Sequence, residues 1–127
     1  MKILFINASP NKNGKTSLLA KGLLNKNEYK VLNLIDYKIY AYGQHFDDDQ
    51  FEDVINQIRQ NEVIVFGTPV YWHNICGLLR SLLDRTYGYL NNGEFSGKRM
   101  FFSLPRRSTG KMDVRGLWIY NEKICLY

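Results

Sequence analysis

At 127 residues, 45% apolar and 23% charged, the chain has the size of one domain, material for a core and enough charge to stay in solution. No apolar run reaches the length a bilayer requires, and the short apolar start at residues 1–7 lacks the length and cleavage site of a secretory signal, so a membrane role is excluded and a cytoplasmic location is expected. The net charge of +5 is unevenly placed. Residues 1–96 hold ten basic and ten acidic residues, whereas 97–127 hold seven basic (Lys98, Arg99, Arg106, Arg107, Lys111, Arg115, Lys123) against Asp113 and Glu122. Such a tail either meets an anion or is a solvated surface; the second is the commoner outcome, and nucleic acid is not the expected partner.

In chain order, residues 3–6 are continuously apolar, as in a central parallel strand covered on both faces. A polar loop, 8–15, precedes a helix opening near Thr16 and running through Leu18, Leu19, Ala20, Leu23 and Leu24. Residues 29–34 read as a second strand, and 36–50 as a tyrosine-rich, then acidic, loop whose Asp48 or Asp49 caps the next helix. Phe51, Val54, Ile55 and Ile58 follow the spacing of one buried helical face. Residues 62–66 form a third strand, 67–74 a loop, and Ile75, Leu78, Leu79, Leu82 and Leu83 an amphipathic helix. A fourth strand covers 99–103. The alternation β-α-β-α-β-α-β predicts a doubly wound parallel sheet in three layers, α/β/α, with right-handed crossovers.

After Ser103 the pattern stops. Residues 105–116 show neither period, and 117–120 and 123–126 read as short strands about an Asn121-Glu122 turn. The chain therefore divides into 1–104 and an atypical basic segment, 105–127, of the same domain. The last strand and helix of the doubly wound sheet are expected to be missing or rearranged. A fourth strand left at the edge invites dimerisation or pairing with the tail.

Ligands of parallel sheets sit beyond the carboxyl ends of the strands. The loop after the first strand lies there and opens a helix whose first N–H groups lack internal partners. Ser9, Thr16 and Ser17 add hydroxyls, Asn11 and Asn13 amide donors, Lys15 a charge, and Gly14 a tight turn. This set suits a phosphate dianion. Residues 14–16, Gly-Lys-Thr, match the end of a Walker loop, but Ser9 occupies the place of its first glycine and no acid ends the third strand, so a nucleoside triphosphate is disfavoured. The loop after the third strand offers Tyr71 and Trp72, which either face a flat ring or cover the core. Cys76 and Cys125 lack CxxC spacing, so neither zinc nor a redox dithiol is inferred, and two reduced thiols packed as small apolar groups are favoured over a disulfide.

The run 67–85, Gly-Thr-Pro-Val-Tyr-Trp-His-Asn-Ile-Cys-Gly-Leu-Leu-Arg-Ser-Leu-Leu-Asp-Arg, closely resembles the third-strand motif of NADPH-dependent FMN reductase-like flavoproteins. Residues 8–16, Ala-Ser-Pro-Asn-Lys-Asn-Gly-Lys-Thr, resemble their phosphate loop. The resemblance covers residues 1 to about 104 and implies a flavodoxin-like fold. It further implies an FMN phosphate held by Ser9, Asn11, Asn13, Lys15, Thr16 and Ser17, and an isoalloxazine bordered by Pro69, Val70, Tyr71, Trp72, His73 and Asn74. His73 is read as a backbone contact rather than a proton donor, and Asp84 and Arg85 as structural or as contacts to a second subunit. Some relatives place cysteines of an iron–sulfur cluster between the second strand and second helix; here 40–45 reads Tyr-Ala-Tyr-Gly-Gln-His, so no cluster and no metal is expected.

The activity implied is an NAD(P)H oxidoreductase: NAD(P)H as co-substrate gives hydride to FMN, which passes electrons to a small-molecule acceptor, a quinone, nitro or azo compound, or free flavin. No catalytic acid or base is required of the protein. In such proteins the nicotinamide site is shared across a homodimer, which makes Tyr42, Trp72 and the tail its candidates. Two alternatives stand beside this reading: a flavodoxin-type electron carrier, whose usual acidity this chain lacks, and a non-catalytic flavodoxin-like binding module.

Overall fold

The structure is a computed structural model. It describes residues 1–93, 95–104, 113–120 and 123–126, with residues 90 and 91 and the last two spans as backbone alone. Eight strands and three α-helices occur among these: β1 (Ile3–Asn7), α1 (Lys15–Leu23), β2 (Lys30–Asn33), α2 (Phe51–Arg59), β3 (Val63–Gly67), β4 (Val70–Tyr71), β5 (Asn74–Ile75), α3 (Gly77–Arg85), β6 (Arg99–Leu104), β7 (Asp113–Tyr120) and β8 (Lys123–Leu126).

The main sheet has the order β2-β1-β3-β6-β7-β8. Its first four strands are parallel, with Leu4 opposite Ile64, Phe5 opposite Val31, and Val65 opposite Phe101. Side chains alternate across the sheet because the strand period is two. Leu4, Ile6, Leu32, Ile64, Phe66 and Met100 therefore pack under α2 and α3, against Val54, Ile55, Ile58, Leu79 and Leu82. Ile3, Phe5, Val63 and Val65 face the other way, toward Ala20 and Leu24 beside α1. The full burial of β1 and β3 follows from helices lying on both faces.

The α1 face carries a single helix among the described residues, and that helix buries only part of its apolar set. Ala20 and Leu24 are buried, whereas Leu18 is 66% exposed. Two further findings concern connections. The segment after β3 is not a plain loop but a small antiparallel hairpin, β4–β5. Beside β6, where a doubly wound sheet places its next parallel strand, lies antiparallel β7, followed by antiparallel β8. The rearranged end thus pairs onto the edge of β6, and β7 begins at Asp113, four residues before the strand read from the sequence. Stretch 105–110 and the Asn121-Glu122 turn lie outside the described residues. No described helix is long and apolar enough to cross a membrane.

Candidate functional site

The strand order reverses between β1 and β3, and the loops leaving these two strands meet there. Asn7 is opposite Gly67 in the ladder, and the Ala8 N–H donates to the Gly67 carbonyl at 2.8 Å. Residues 9–17 and 69–74 consequently share one corner of the carboxyl edge, the place where open α/β sheets accept ligands.

A chain of short polar bonds shapes the first loop. The buried Asn7 accepts the Ser9 N–H at 3.1 Å, and its amide donates to Ser17 Oγ at 3.2 Å and Asn33 Oδ1 at 3.1 Å. Ser9 Oγ accepts the Asn11 N–H at 3.1 Å, and Asn11 Oδ1 accepts the Asn13 N–H at 3.0 Å. The Ser17 hydroxyl donates to the Lys12 carbonyl at 2.6 Å. Lys12 pairs with Asp36 at 2.7 Å, and Lys15 is exposed. Gly14 is the N-cap of α1. It brings no side-chain acceptor, and the first turn of α1 holds no acid. A Cβ at Gly14 would sit 3.2 Å from the Asn11 amide, inside the hollow of the loop. The positive end of a nine-residue helix, hydroxyls, a lysine and no carboxylate within 9–17 together fit a phosphate.

Two of the six first-loop residues are turned inward. Ser9 is 7% exposed, and Thr16 is 3% exposed with its methyl lying over Gly67. A Cβ on Gly67 would come within 2.6 Å of Phe5 Cε2 and 2.7 Å of Thr16 Cγ2, so only glycine lets α1 settle this closely on β3. Hydroxyls of Ser9 and Ser17 are engaged in the loop's own network, which leaves backbone N–H groups, Asn11, Asn13 and Lys15 as its outward face.

The second loop projects as the β4–β5 hairpin, with Val70 opposite Ile75 and Tyr71 opposite Asn74. Its two turn residues, Trp72 (φ 49°) and His73 (φ 61°), both lie in the left-handed region, as two-residue hairpin turns of this hand require. Turns of this kind usually carry Asn-Gly, and a bulky residue there costs about 1 kcal/mol. The conformation holds Trp72 outward, 96% exposed, with Tyr71 at 50% and Val70 at 39%. Asn74 Oδ1 faces inward to its own strand, accepting the Ile75 N–H at 2.8 Å and Arg80 at 3.2 Å. Pro69 is half-buried at the hairpin base.

The sequence assigns no role to Asn7, shows Gly67 and Thr68 only as members of the 67–85 motif, and marks Cys76 only as a small packed thiol, as the structure has it. A polar residue ending an apolar strand was a usable signal for Asn7; the roles of the others become visible only through contacts. Cys76 is a free, buried thiol, and the Cys125 side chain lies outside the described residues. Arg85 is a structural anchor. Its guanidinium grips Asp49 through two bonds of 2.7 and 3.0 Å, donates to the Tyr40 carbonyl at 3.1 Å and lies 4.5 Å over the Phe51 ring. Arg85, with the Phe51 and Tyr40 N–H groups, holds the Asp49 carboxyl down at about 2. This pins the 36–50 segment, whose ends are also joined by Gln50 and Lys38. Among the described residues no group of three or more His, Cys, Asp and Glu is placed to hold a metal ion.

Comparison with known proteins identifies the family and the fold. An iron–sulfur flavoprotein of Archaeoglobus fulgidus is 32% identical over 100 residues, 68% of this chain and 49% of that protein. A Bacillus subtilis protein named for NAD(P)H-dependent, FMN-containing oxidoreductase activity, YwqN, is 26% identical over 103 residues, 75% of this chain and 57% of its own. The chain thus spans about half the length of the curated relatives it matches. The solved structure of the Trp repressor binding protein from B. subtilis superimposes with a TM-score of 0.64 at 22% identity, covering 80% of this chain and 65% of that one, which shows the flavodoxin-like fold. The model of the NADPH-dependent FMN reductase family matches residues 1–114, and the chain belongs to that family.

Proposed function

We propose that this protein binds FMN at the β1/β3 corner and acts as an NAD(P)H-dependent oxidoreductase. The observation that carries the reading is the convergence of an uncapped, carboxylate-free helix terminus with an aromatic hairpin, joined at Ala8 and Gly67. In this reading the N–H groups opening α1, with Asn11, Asn13 and Lys15, hold the phosphate, while Ser9, Thr16 and Ser17 shape the loop around it. Residues 69–74 border the ring. Bound FMN would supply hydride acceptance and onward electron transfer.

The chain's own residues bind and orient. The left-handed turn keeps Trp72 and His73 raised beside the ring position, and the Val70 and Tyr71 side chains exclude water from one side of it. One ring face stays open for a nicotinamide and then for a small acceptor such as a quinone, a nitro or azo compound, or free flavin. A homodimer in the cytoplasm is the proposed working form. Residues 1–104 supply the cofactor corner and 105–127 extend the same domain.

The test is direct. Purified protein should take up FMN, show flavin absorbance, and oxidise NADH or NADPH when offered a panel of acceptors. A colourless protein that refuses added FMN refutes the reading. FMN uptake without NAD(P)H oxidation points to an electron carrier instead.

A further inference from the structure

Above the last rung of the β1–β3 ladder, the two loops are fastened by side chains that neither the phosphate nor the ring reading uses. Cys76 is the N-cap of α3 and is 3% exposed; Thr68 is fully buried. The Cys76 N–H donates to Thr68 Oγ1 at 3.1 Å, closing the base of the hairpin that carries residues 70–75. The Cys76 thiol donates to the Ala8 carbonyl at 3.3 Å. The Thr68 hydroxyl has one proton, with the Pro69 carbonyl at 2.8 Å and Cys76 Sγ at 3.3 Å as its acceptors. Ala8 is therefore held at both backbone groups, its N–H by β3 and its carbonyl by the cap of α3.

We infer that Thr68 and Cys76 are positioning residues for the cofactor, forming a clasp that fixes the distance between the phosphate loop and the ring loop. The inference rests on the FMN reading above. Its physical basis is preorganisation. A ligand gripped at two places gains its second contact cheaply only if the two holders already stand at the right separation. A thiol is a weak donor, so its bond to Ala8 adds little to global stability. What it sets is the placement of the residue from which the phosphate loop departs. FMN spans both loops, whereas inorganic phosphate uses one and riboflavin mainly the other. Loss of the clasp should therefore weaken FMN selectively.

The experiment titrates FMN, riboflavin and inorganic phosphate against wild type, Cys76→Ala, Thr68→Val, and the conservative Cys76→Ser and Thr68→Ser, with amide hydrogen exchange of residues 8–14 measured in the same proteins without ligand. The expected result is about tenfold weaker FMN binding in Cys76→Ala and Thr68→Val, corresponding to about 1.4 kcal/mol. Phosphate should change less than about twofold in both variants and riboflavin less than about twofold in Cys76→Ala, which keeps the Cys76 N–H bond at the hairpin base; exchange in the loop should quicken, and the serine variants should restore both readouts. Equal weakening of FMN and riboflavin in Cys76→Ala, equal weakening of FMN and phosphate in Thr68→Val, or unchanged loop exchange, overturns the clasp. Faster loop exchange in a set of proteins that never bind FMN, wild type included, upholds the clasp as a fastener of the loops and removes the FMN reading and the cofactor role with it. Should Cys76→Ala fail to fold, Thr68→Val and the exchange data decide.

Discussion

Replacing Gly67 by alanine tests the close seating of α1 on β3. The new Cβ would stand 2.6 Å from Phe5 Cε2, 2.8 Å from Phe5 Cζ and 2.7 Å from Thr16 Cγ2. Carbon atoms rest at about 3.5–4.0 Å, so two neighbours must each retreat by roughly 1 Å. Phe5 is 2% exposed and its ring meets Tyr29 edge-on, so it has little room to yield. Thr16 stands in the first turn of α1, and its retreat tilts the helix start and the loop before it. Overpacking of this kind costs about 1–3 kcal/mol. For a chain of this size, 2 kcal/mol lowers Tm by about 8 °C. A displacement of about 1 Å at the phosphate loop should also weaken FMN binding by an order of magnitude or more. Thr16→Ser removes the closest α1 carbon, so the double variant should recover about 1 kcal/mol relative to additivity. Circular dichroism melts and flavin fluorescence titrations read both effects. An unchanged Tm in Gly67→Ala, or strict additivity with Thr16→Ser, would refute the packing argument.

Three other outcomes are expected. The Asp49 carboxyl is depressed from 3.8 to about 2, chiefly by Arg85, so its contribution is full above the unfolded pKa and disappears as pH falls through about 2. The pair is largely buried, and that contribution is about 2 kcal/mol; urea midpoints measured downward from about pH 5 should show the loss in wild type and a much smaller one in Asp49→Asn. Asn7→Ala strips three hydrogen bonds from the buried root of the phosphate loop and should cost about 2–3 kcal/mol by chemical denaturation, with FMN affinity falling alongside. Trp72→Ala removes a side chain that is 96% exposed, so Tm should stay put while NAD(P)H turnover drops; a large loss of stability without loss of turnover would contradict the proposed site.

The parallel layers were legible in the sequence because their signal is local. Continuous apolar runs mark β1 and β3, since both faces of those strands are covered, and the spacing of Phe51, Val54, Ile55 and Ile58 marks α2. The two loop motifs were readable for the same reason: each is one contiguous stretch of chain. The β4–β5 hairpin was not, because its turn is Trp-His and carries none of the glycine or asparagine that announces left-handed backbone. The Thr68–Cys76–Ala8 fastening and the Gly67 contact with Phe5 and Thr16 were equally hidden. They join residues up to 68 positions apart, and no period in the sequence records such a meeting.

The local chemistry of this chain thus determined its strands, helices and two candidate ligand loops. Tertiary structure alone decided that β1 and β3 lie side by side, so that those loops share a corner, and that β7 runs antiparallel to β6. A strand's residues record which of its faces are covered, but its neighbour and direction follow from how the whole chain closes its hydrogen-bond ladder.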